Sequence, residues 1–251
     1  MENIICMKWG SKYGPNYVNR LAAMVRHNIS RPFQLVCFTD EPEGIEDSVV
    51  VRPLPEMDVD PTLPERCWRK LSVFGAELAD LSGTALFLDL DLVILGSLDG
   101  FFDVPGRFRI ANDWNLSNYV GNSSVFRFEI GRHADMLQYY LDHAEEVRAG
   151  YRNDQWFVSW WMKERGLLEY WDPAWCKSFK THCLRPFPLG YFLPPRHPGP
   201  ETRVLVFHGR PNPDEIVNGW HSPGFLRAAR PASWFRDVWN AASPDRTPSD
   251  S

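Results

Sequence analysis

Residues 84–94 read Thr84-Ala85-Leu86-Phe87-Leu88-Asp89-Leu90-Asp91-Leu92-Val93-Ile94, an apolar run that two carboxylates interrupt. Because the run has no polar alternation, it predicts a strand that is covered on both faces, as at the centre of a mostly parallel sheet. Side chains repeat every two residues along a strand, so Asp89 and Asp91 should point the same way. Paired carboxylates repel unless a cation lies between them, and they favour Mg²⁺, Mn²⁺ or Ca²⁺. The run therefore predicts a divalent metal site, against the alternative that the pair merely ends a strand.

Composition restricts the class of protein. The 251 residues suffice for one large domain with a substantial core. A net charge of -5 with 24% charged residues gives no indication of a nucleic-acid partner. Aromatic residues make up 14% of the chain and include 11 Trp, whose flat faces suit stacking on sugars or bases as well as core packing.

The cysteines and the N-terminus bear on the cellular compartment. Five cysteines without Cys-x-x-Cys spacing argue against a disulfide framework or a zinc knuckle, and Cys6 and Cys37 lie in apolar runs as predicted buried thiols. The first residues show no basic segment followed by a long apolar stretch, so we expect neither a signal peptide nor a membrane span. We expect a cytoplasmic protein.

The order of apolar patterns predicts the fold class. Strands are predicted at 4–7, 34–38, 49–51, 85–88, 108–111, 123–128 and 204–207, and helices at 16–28, 67–79, 132–148 and 155–163. Alternation of the two over the first hundred residues predicts an α/β fold with a mainly parallel sheet flanked by helices. In such folds ligands bind at the carboxyl ends of the strands, where Asp89 and Asp91 lie. The proline-rich stretch 171–200 is predicted to be an irregular binding loop.

A second metal-capable side chain follows a late apolar strand, in Phe207-His208-Gly209-Arg210-Pro211. A neutral imidazole there could complete the shell of an ion, although a histidine that simply hydrogen-bonds at a strand end is an equally good interpretation. With this motif the chain resembles the GT-A fold glycosyltransferases, specifically the relatives of family 8, which includes glycogenin and bacterial lipopolysaccharide galactosyltransferases. The resemblance implies a single GT-A domain and a Mn²⁺ or Mg²⁺ ion held by Asp89, Asp91 and His208.

The resemblance also implies roles for other residues. Asn122 matches an asparagine that contacts the donor sugar, and Asp154 and Gln155 match an Asp-Gln pair that flanks the anomeric centre. Lys70 corresponds to a basic position that reaches the donor, and Tyr13 to a tyrosine near the uracil. Gly209 lies in the histidine segment, where the family usually carries Lys-Pro and this chain has Asn212-Pro213. The positive charge against the diphosphate is therefore expected from Arg210 or Lys180.

Ordinary structural roles compete with these assignments. Asn153 or Asp154 could be the N-cap of the following helix. Lys70 could be a solvated helix lysine with an apolar stem against the surface. Tyr13 could be a loop aromatic that packs on the core.

The implied activity is metal-dependent transfer of a sugar from a nucleotide diphosphate donor, a UDP-sugar, to a glycan or lipid-linked acceptor, with retention of configuration. The alternatives are a haloacid-dehalogenase-like phosphatase, whose nucleophile motif is also Asp-x-Asp, and a nucleotide-sugar-binding module without turnover. The phosphatase motif normally opens its domain and needs a later Gly-Asp-x-x-x-Asp or Asp-Asp, whereas here residues 1–84 precede the motif and neither pattern follows Asp91.

We expect one domain over 1–243, with a nucleotide-binding half at 1–112, a donor and acceptor half at 113–222 and a C-terminal helix at 223–243. The polar residues 244–251 are predicted to be a disordered tail. Segment 225–240 mixes Arg227, Arg230 and Arg236 with aromatic residues. It could rest on an anionic inner-membrane face, but the favoured interpretation is an amphipathic helix packed on the domain.

Overall fold

The structure is a computed structural model that describes residues 1–58, 66–114 and 119–242. The predicted tail at 244–251 lies outside the described residues. The strands are β1 (Glu2–Lys8), β2 (Phe33–Thr39), β3 (Val50–Arg52), β4 (Thr84–Leu88), β5 (Leu92–Ile94), β6 (Phe108–Asn112), β7 (Gly121–Glu129), β8 (Glu169–Tyr170), β9 (Cys176–Ser178), β10 (Val204–Val206), β11 (Trp220–His221) and β12 (Ala228–Ala229). The α-helices are α1 (Pro15–Asn28), α2 (Gly100–Asp103), α3 (Ala134–Asp142), α4 (Ala144–Gly150), α5 (Asp154–Glu164), α6 (Pro213–Val217) and α7 (Ser233–Ala241).

A seven-stranded sheet in the order β3-β2-β1-β4-β7-β6-β8 forms the centre of the molecule. The strands β3, β2, β1 and β4 run parallel, while β7 is antiparallel to both of its neighbours. The mixed, mainly parallel sheet flanked by helices confirms the predicted fold class. After β1 the chain builds outward through β2 and β3, and it then returns to place β4 on the other side of β1. This reversal creates a crevice between the carboxyl ends of β1 and β4.

The continuous apolar run of β4 is explained by two separate cores, one on each face of the sheet. Leu86 and Leu88 pack into the core that also contains apolar residues of α1. Ala85 and Phe87 pack into the other core, with residues of the 3-10 helix at Arg66–Phe74 and of α3. Because both faces are covered, neither position can be polar, and the alternation that marks a half-exposed strand is absent.

A smaller sheet, in the order β5-β10-β9, continues directly from this strand. Asp89, Leu90 and Asp91 form the connection between the end of β4 and the start of β5, rather than a strand end as such. β5 pairs antiparallel with β10, so the start of β5, next to Asp91, lies beside the end of β10, close to His208.

Several predicted elements differ from the structure. The helix predicted at 67–79 is a 3-10 helix at Arg66–Phe74, and the helix predicted at 132–148 is divided at His143 into α3 and α4. The loop 171–200 contains β9, a π-type turn at Phe179–Cys183 and a 3-10 turn at Leu189–Tyr191.

The helix predicted at 223–243 covers only Ser233–Ala241, after a β11–β12 pair and a 3-10 turn at Pro223–Phe225. Gly224 has φ +76, and Pro231 follows β12, so a continuous helix is excluded there. Phe235 and Trp239 of α7 are buried, as the favoured interpretation of an amphipathic helix packed on the domain requires. Within the described residues, no helix is both long and apolar enough to span a membrane.

Candidate active site

A cavity of about 580 Å³ opens at the carboxyl ends of β1 and β4. Four residues predicted from the sequence line it, namely Tyr13, Lys70, Asp89 and Asp91. The topological reversal between these strands accounts for its position, and the loop from Trp9 to Tyr13 forms one of its walls. The remaining predicted residues lie on surrounding elements.

Asp91 is a buried carboxylate. The hydroxyl of Tyr13 donates a hydrogen bond of 2.6 Å to Oδ2 of Asp91, and Nζ of Lys12 lies 4.0 Å from the same oxygen. Burial and the negative charge of Asp89 raise the pKa of Asp91 to about 6, although Tyr13, Lys12 and Lys70 each act in the opposite direction. The repulsion between Asp89 and Asp91 is therefore only partly compensated by the neighbouring residues.

Asp89 is paired with Lys70, whose Nζ lies 2.7 Å from Oδ1 of Asp89. The ammonium also donates to the backbone oxygen of Ser123 at 2.9 Å. Burial lowers the pKa of Lys70, but the charges of Asp89 and Asp154 outweigh it, and the pKa is raised overall. Lys70 is 7% exposed, so it is not the solvated lysine of the alternative interpretation.

A bulge in β7 brings this strand to Lys70. Ile110 of β6 pairs with Phe126, whereas the next residue, Ala111, pairs with Asn122, so three residues of β7 are displaced from the ladder. Ser123 lies in this bulge, and its hydroxyl donates a 2.7 Å hydrogen bond to Oδ2 of Asp154. Bulges commonly redirect side chains next to active sites. Here the bulge connects Lys70 to the first residue of α5.

At the start of α5, the residue that caps the helix and the residue that belongs to the candidate site are different. Oδ1 of Asn153 accepts a 3.3 Å hydrogen bond from the backbone N–H of Trp156, so Asn153 is the N-cap. Asp154 is buried and bonds to Ser123 instead. Gln155 contacts Asn122 at 3.5 Å and donates to Oδ2 of Asp113 at 3.2 Å. Asn122, Asp154 and Gln155 therefore lie together beside Lys70.

His208 is close to Asp91 through the backbone. The N–H of Phe207 donates a 3.0 Å hydrogen bond to the carbonyl oxygen of Asp91. The imidazole, however, stacks on Trp114 with ring centroids 6.1 Å apart, and its Nε2 lies 2.7 Å from Oγ of Ser178. Burial and the charge of Lys180 lower the pKa of His208, although Asp113 opposes them. The ring is therefore favoured in the neutral form, and Nε2 is engaged by Ser178.

The positively charged candidates differ in their surroundings. Nζ of Lys180 donates to the carbonyl oxygen of His208, next to Gly209, which has φ +68 and would be strained by any side chain. Burial and then the charge of Arg227 lower the pKa of Lys180. Arg210 is largely exposed, and its Nε lies 3.6 Å from Glu215.

Solved glycosyltransferase structures are similar to 98% of the chain. The galactosyltransferase LgtC, described in complex with donor and acceptor sugar analogues, has 14% identity and a TM-score of 0.59, with 98% of that chain covered. GlyE of Streptococcus pneumoniae TIGR4 has 12% identity and a TM-score of 0.62, with 62% of that chain covered. The bifunctional glycosyltransferase WbbM has 11% identity and a TM-score of 0.58, with 50% of that chain covered. The chain has the GT-A glycosyltransferase fold.

This likeness concerns three-dimensional structure alone. No protein-family model matches the sequence, and no curated protein matches it either. The roles of the individual residues in this GT-A chain remain predictions that depend on the contacts described above.

The fit of this GT-A site to a divalent cation rests on Asp89 and Asp91. Both line one cavity, and burial together with the negative charge of Asp89 raises the pKa of Asp91; a cation would favour the ionised form of both carboxylates. Across the described ranges, no group of three or more His, Cys, Asp or Glu is arranged to hold a metal ion, and Nε2 of His208 contacts Ser178. Two of the three proposed ligands are thus brought together.

Sequence inspection missed several polar residues of the site. Lys12, Asp113, Ser123 and Ser178 each contact or influence a predicted residue. Ser123 stands next to Asn122 in a Ser-Ser pair inside an apolar strand, which was an available signal of irregular pairing. Ser178 carried no such signal, because its contact with His208 depends on the pairing of β9 with β10.

Proposed function

We propose that this chain is a divalent-metal-dependent glycosyltransferase that moves a sugar from a UDP-sugar to a carbohydrate or lipid-linked acceptor with retention of configuration. The observation that carries the proposal is the cavity between the ends of β1 and β4, in which Asp89 and Asp91 lie beside Lys70. A GT-A fold with carboxylates at this crevice suits a nucleotide diphosphate, whose charge needs cationic partners. LgtC, which has the same fold, is described with donor and acceptor sugar analogues.

Different residues of the chain would bind the base, the diphosphate and the sugar of the donor. The ring of Tyr13 at the cavity wall offers a stacking face for the base. Lys180, with Gly209 packed against its ammonium, and Arg210 provide positive charge near the end of β10 for the diphosphate. Asn122 would hydrogen-bond a sugar hydroxyl, and its position directly before the bulge, with its amide 3.5 Å from Gln155, supports this role.

Negative charge develops on the departing diphosphate while the sugar acquires cationic character. A divalent cation held by Asp89 and Asp91, with His208 as third proposed ligand, would supply Lewis-acid stabilisation of that leaving group. Asp154 and Gln155 would offset the positive charge of the sugar by their oxygens. The hydrogen-bond path from Asp154 through Ser123 to Lys70 supports this placement, because it couples the two charged ends of the reaction.

The test is a panel of nucleotide sugars with Mn²⁺, measured as thermal stabilisation of the full chain and as slow donor hydrolysis. We expect stabilisation by a UDP-sugar that requires the metal and that is absent in Asp91→Asn. The matched control is Asp47→Asn, an exposed aspartate ahead of the N-terminal end of β3, which should respond like the unmodified protein. The anomeric configuration of the product, followed by proton NMR, tests retention.

Two outcomes would redirect the assignment. Metal-dependent stabilisation without turnover for any acceptor or water would favour a binding module that kept the fold. Hydrolysis of a generic aryl phosphate, with phosphate trapped on Asp89, would favour a phosphatase. Absence of any response to donors with metal would remove the transferase proposal.

A further inference from the structure

The exposed large apolar side chains of the described residues are concentrated in one region. Apart from Met1 they are Phe187, Leu189, Phe192, Leu193 and Leu226, which we call the apolar surface. Phe192 is 69% exposed and Leu226 is 71% exposed, so neither contributes to a core. Single exposed apolar residues are ordinary, but a contiguous group of them marks a site of interaction.

The two segments that carry the apolar surface pack against each other. A side chain at Gly190 would collide with the carbonyl oxygen of Ala228, so the turn at Leu189–Tyr191 lies directly on β12. The indole Nε1 of Trp234 donates a 3.2 Å hydrogen bond to the carbonyl oxygen of Pro195, and this bond links the segment 187–195 to α7. Only Arg227 separates Leu226 from β12, so the two segments that carry the five side chains meet at this strand.

Positive charge is concentrated in the same segments. Residues 173–200 and 216–236 contain seven Lys and Arg and no Asp or Glu, in a chain whose net charge is -5. Arg196, Arg227 and Arg230 are exposed. These two segments therefore carry only positively charged side chains.

The apolar surface adjoins the candidate active site. Arg227 follows Leu226 and lies close enough to Lys180 to act on its charge, as does Asp91 from the cavity side. Lys180 in turn donates to the backbone oxygen of His208. A body bound at the apolar surface would consequently sit next to the opening of the site.

We propose that the chain docks on an anionic lipid bilayer through the apolar surface, with Phe187, Phe192, Leu193 and Leu226 entering the interface and the arginines facing the headgroups. Apolar side chains surrounded by cations are the combination that interfacial binding requires. A second copy is disfavoured as the occupant, because a symmetric contact would bring two cationic faces together. Residues 243–251 contain no large apolar side chain that could cover it.

This proposal changes the element that meets the membrane. The aromatic residues Phe235 and Trp239 of the C-terminal helix are buried against the domain, so α7 cannot insert them. The inserting side chains belong instead to the turn at 187–193 and to Leu226. Docking does not depend on the transferase proposal, since it rests on surface composition alone.

The test is flotation of the full chain with phosphatidylcholine vesicles that contain or lack phosphatidylglycerol. We expect binding only to the anionic vesicles, weakened by added salt because exposed charges are screened. The double variant Phe192→Ser with Leu226→Ser should bind about tenfold more weakly. Arg227→Gln with Arg230→Gln should remove the preference for phosphatidylglycerol.

The matched control is Arg107→Gln, an exposed arginine just before β6 and outside both segments of the apolar surface, which should bind vesicles normally. Unchanged thermal melting of the variants would show that they remain folded. The proposal is overturned if the unmodified chain does not float with anionic vesicles, or if the double variant floats equally well. It is also overturned if size-exclusion chromatography with light scattering shows a dimer that the double variant abolishes.

Discussion

Nζ of Lys70 lies 2.7 Å from Oδ1 of Asp89 and 2.9 Å from the backbone oxygen of Ser123, so one ammonium joins β4 to the bulge of β7. Lys70 belongs to the 3-10 helix that precedes β4 in the chain. Asp89 compensates the charge of Lys70. On the other side, Lys70 is linked to Asp154 by Ser123, whose hydroxyl donates a hydrogen bond to Asp154. The predicted metal-binding and catalytic carboxylates are therefore parts of a single charged network.

Replacing Lys70 by methionine should lower the free energy of unfolding by about 2 kcal/mol, because Asp89 would lose its buried partner while remaining partly accessible to water. Urea denaturation followed by circular dichroism measures the change. Lys163→Met is the control, since Lys163 is exposed and lies over the ring of Tyr119, and it should cost about 1 kcal/mol or less. Equal effects of the two substitutions would show that the Lys70 pair contributes nothing specific.

The stability of the metal-free protein should depend on Asp91 and pH. Its pKa in the folded protein, about 6, lies above its ordinary value, so folding favours the protonated carboxyl. The contribution to the free energy of unfolding is therefore lost as pH rises from about 4 to about 6. Asp91→Asn does not titrate and should be more stable than the unmodified chain above that window, by about 2 kcal/mol.

Urea denaturation in chelator at several pH values checks this expectation, and the two proteins should converge near the acid end of the window. Tyr13→Phe offers a second variant. The hydroxyl of Tyr13 lowers the pKa of Asp91, so its removal should move the stability transition to higher pH. A less stable Asp91→Asn at neutral pH would contradict the repulsion between the carboxylates.

Phe126→Ala should lower the free energy of unfolding by about 4 kcal/mol, because it empties the centre of an aromatic core. The ring of Phe126 lies 4.8 Å from that of Phe87 and 5.5 Å from that of Phe74, centroid to centroid. Phe192→Ala is the matched control on the apolar surface and should change stability by no more than about 0.5 kcal/mol. Thermal and urea unfolding measure both, and a large loss for Phe192→Ala would mean that this residue is structural.

The central sheet could be predicted because a strand that is buried on both faces has a continuously apolar sequence. Leu86 and Phe87 enter opposite cores, and this alone makes the run through β4 continuously apolar. The 3-10 helix was mistaken for an α-helix because Trp68, Leu71 and Phe74 recur every three residues, a spacing that both helices share over a short segment. The predicted start of the C-terminal helix is wrong because the local pattern does not reveal the strand pair that precedes it.

The candidate site was predictable in membership but not in contacts. Asp89 and Asp91 stand out as charges within an apolar run, and both line the cavity. That Asn153 caps α5 while Asp154 turns to Ser123 is not visible in the sequence, since either residue can cap a helix. The bulge that presents Ser123 arises from register between β6 and β7, which only pairing in space defines.

The sequence by itself determined a buried strand followed by a carboxylate pair in an α/β fold, because hydrophobic periodicity and charge are local properties of the chain. The tertiary structure decided the partners of that pair. Lys70 and Tyr13 reach Asp89 and Asp91 because β1 and β4 are neighbours, and His208 contacts Ser178 because β9 pairs with β10. Contacts between residues distant in sequence depend on strand order, register and competition among hydrogen-bond partners. A local sequence pattern reveals none of these, because each depends on several segments of the chain at once.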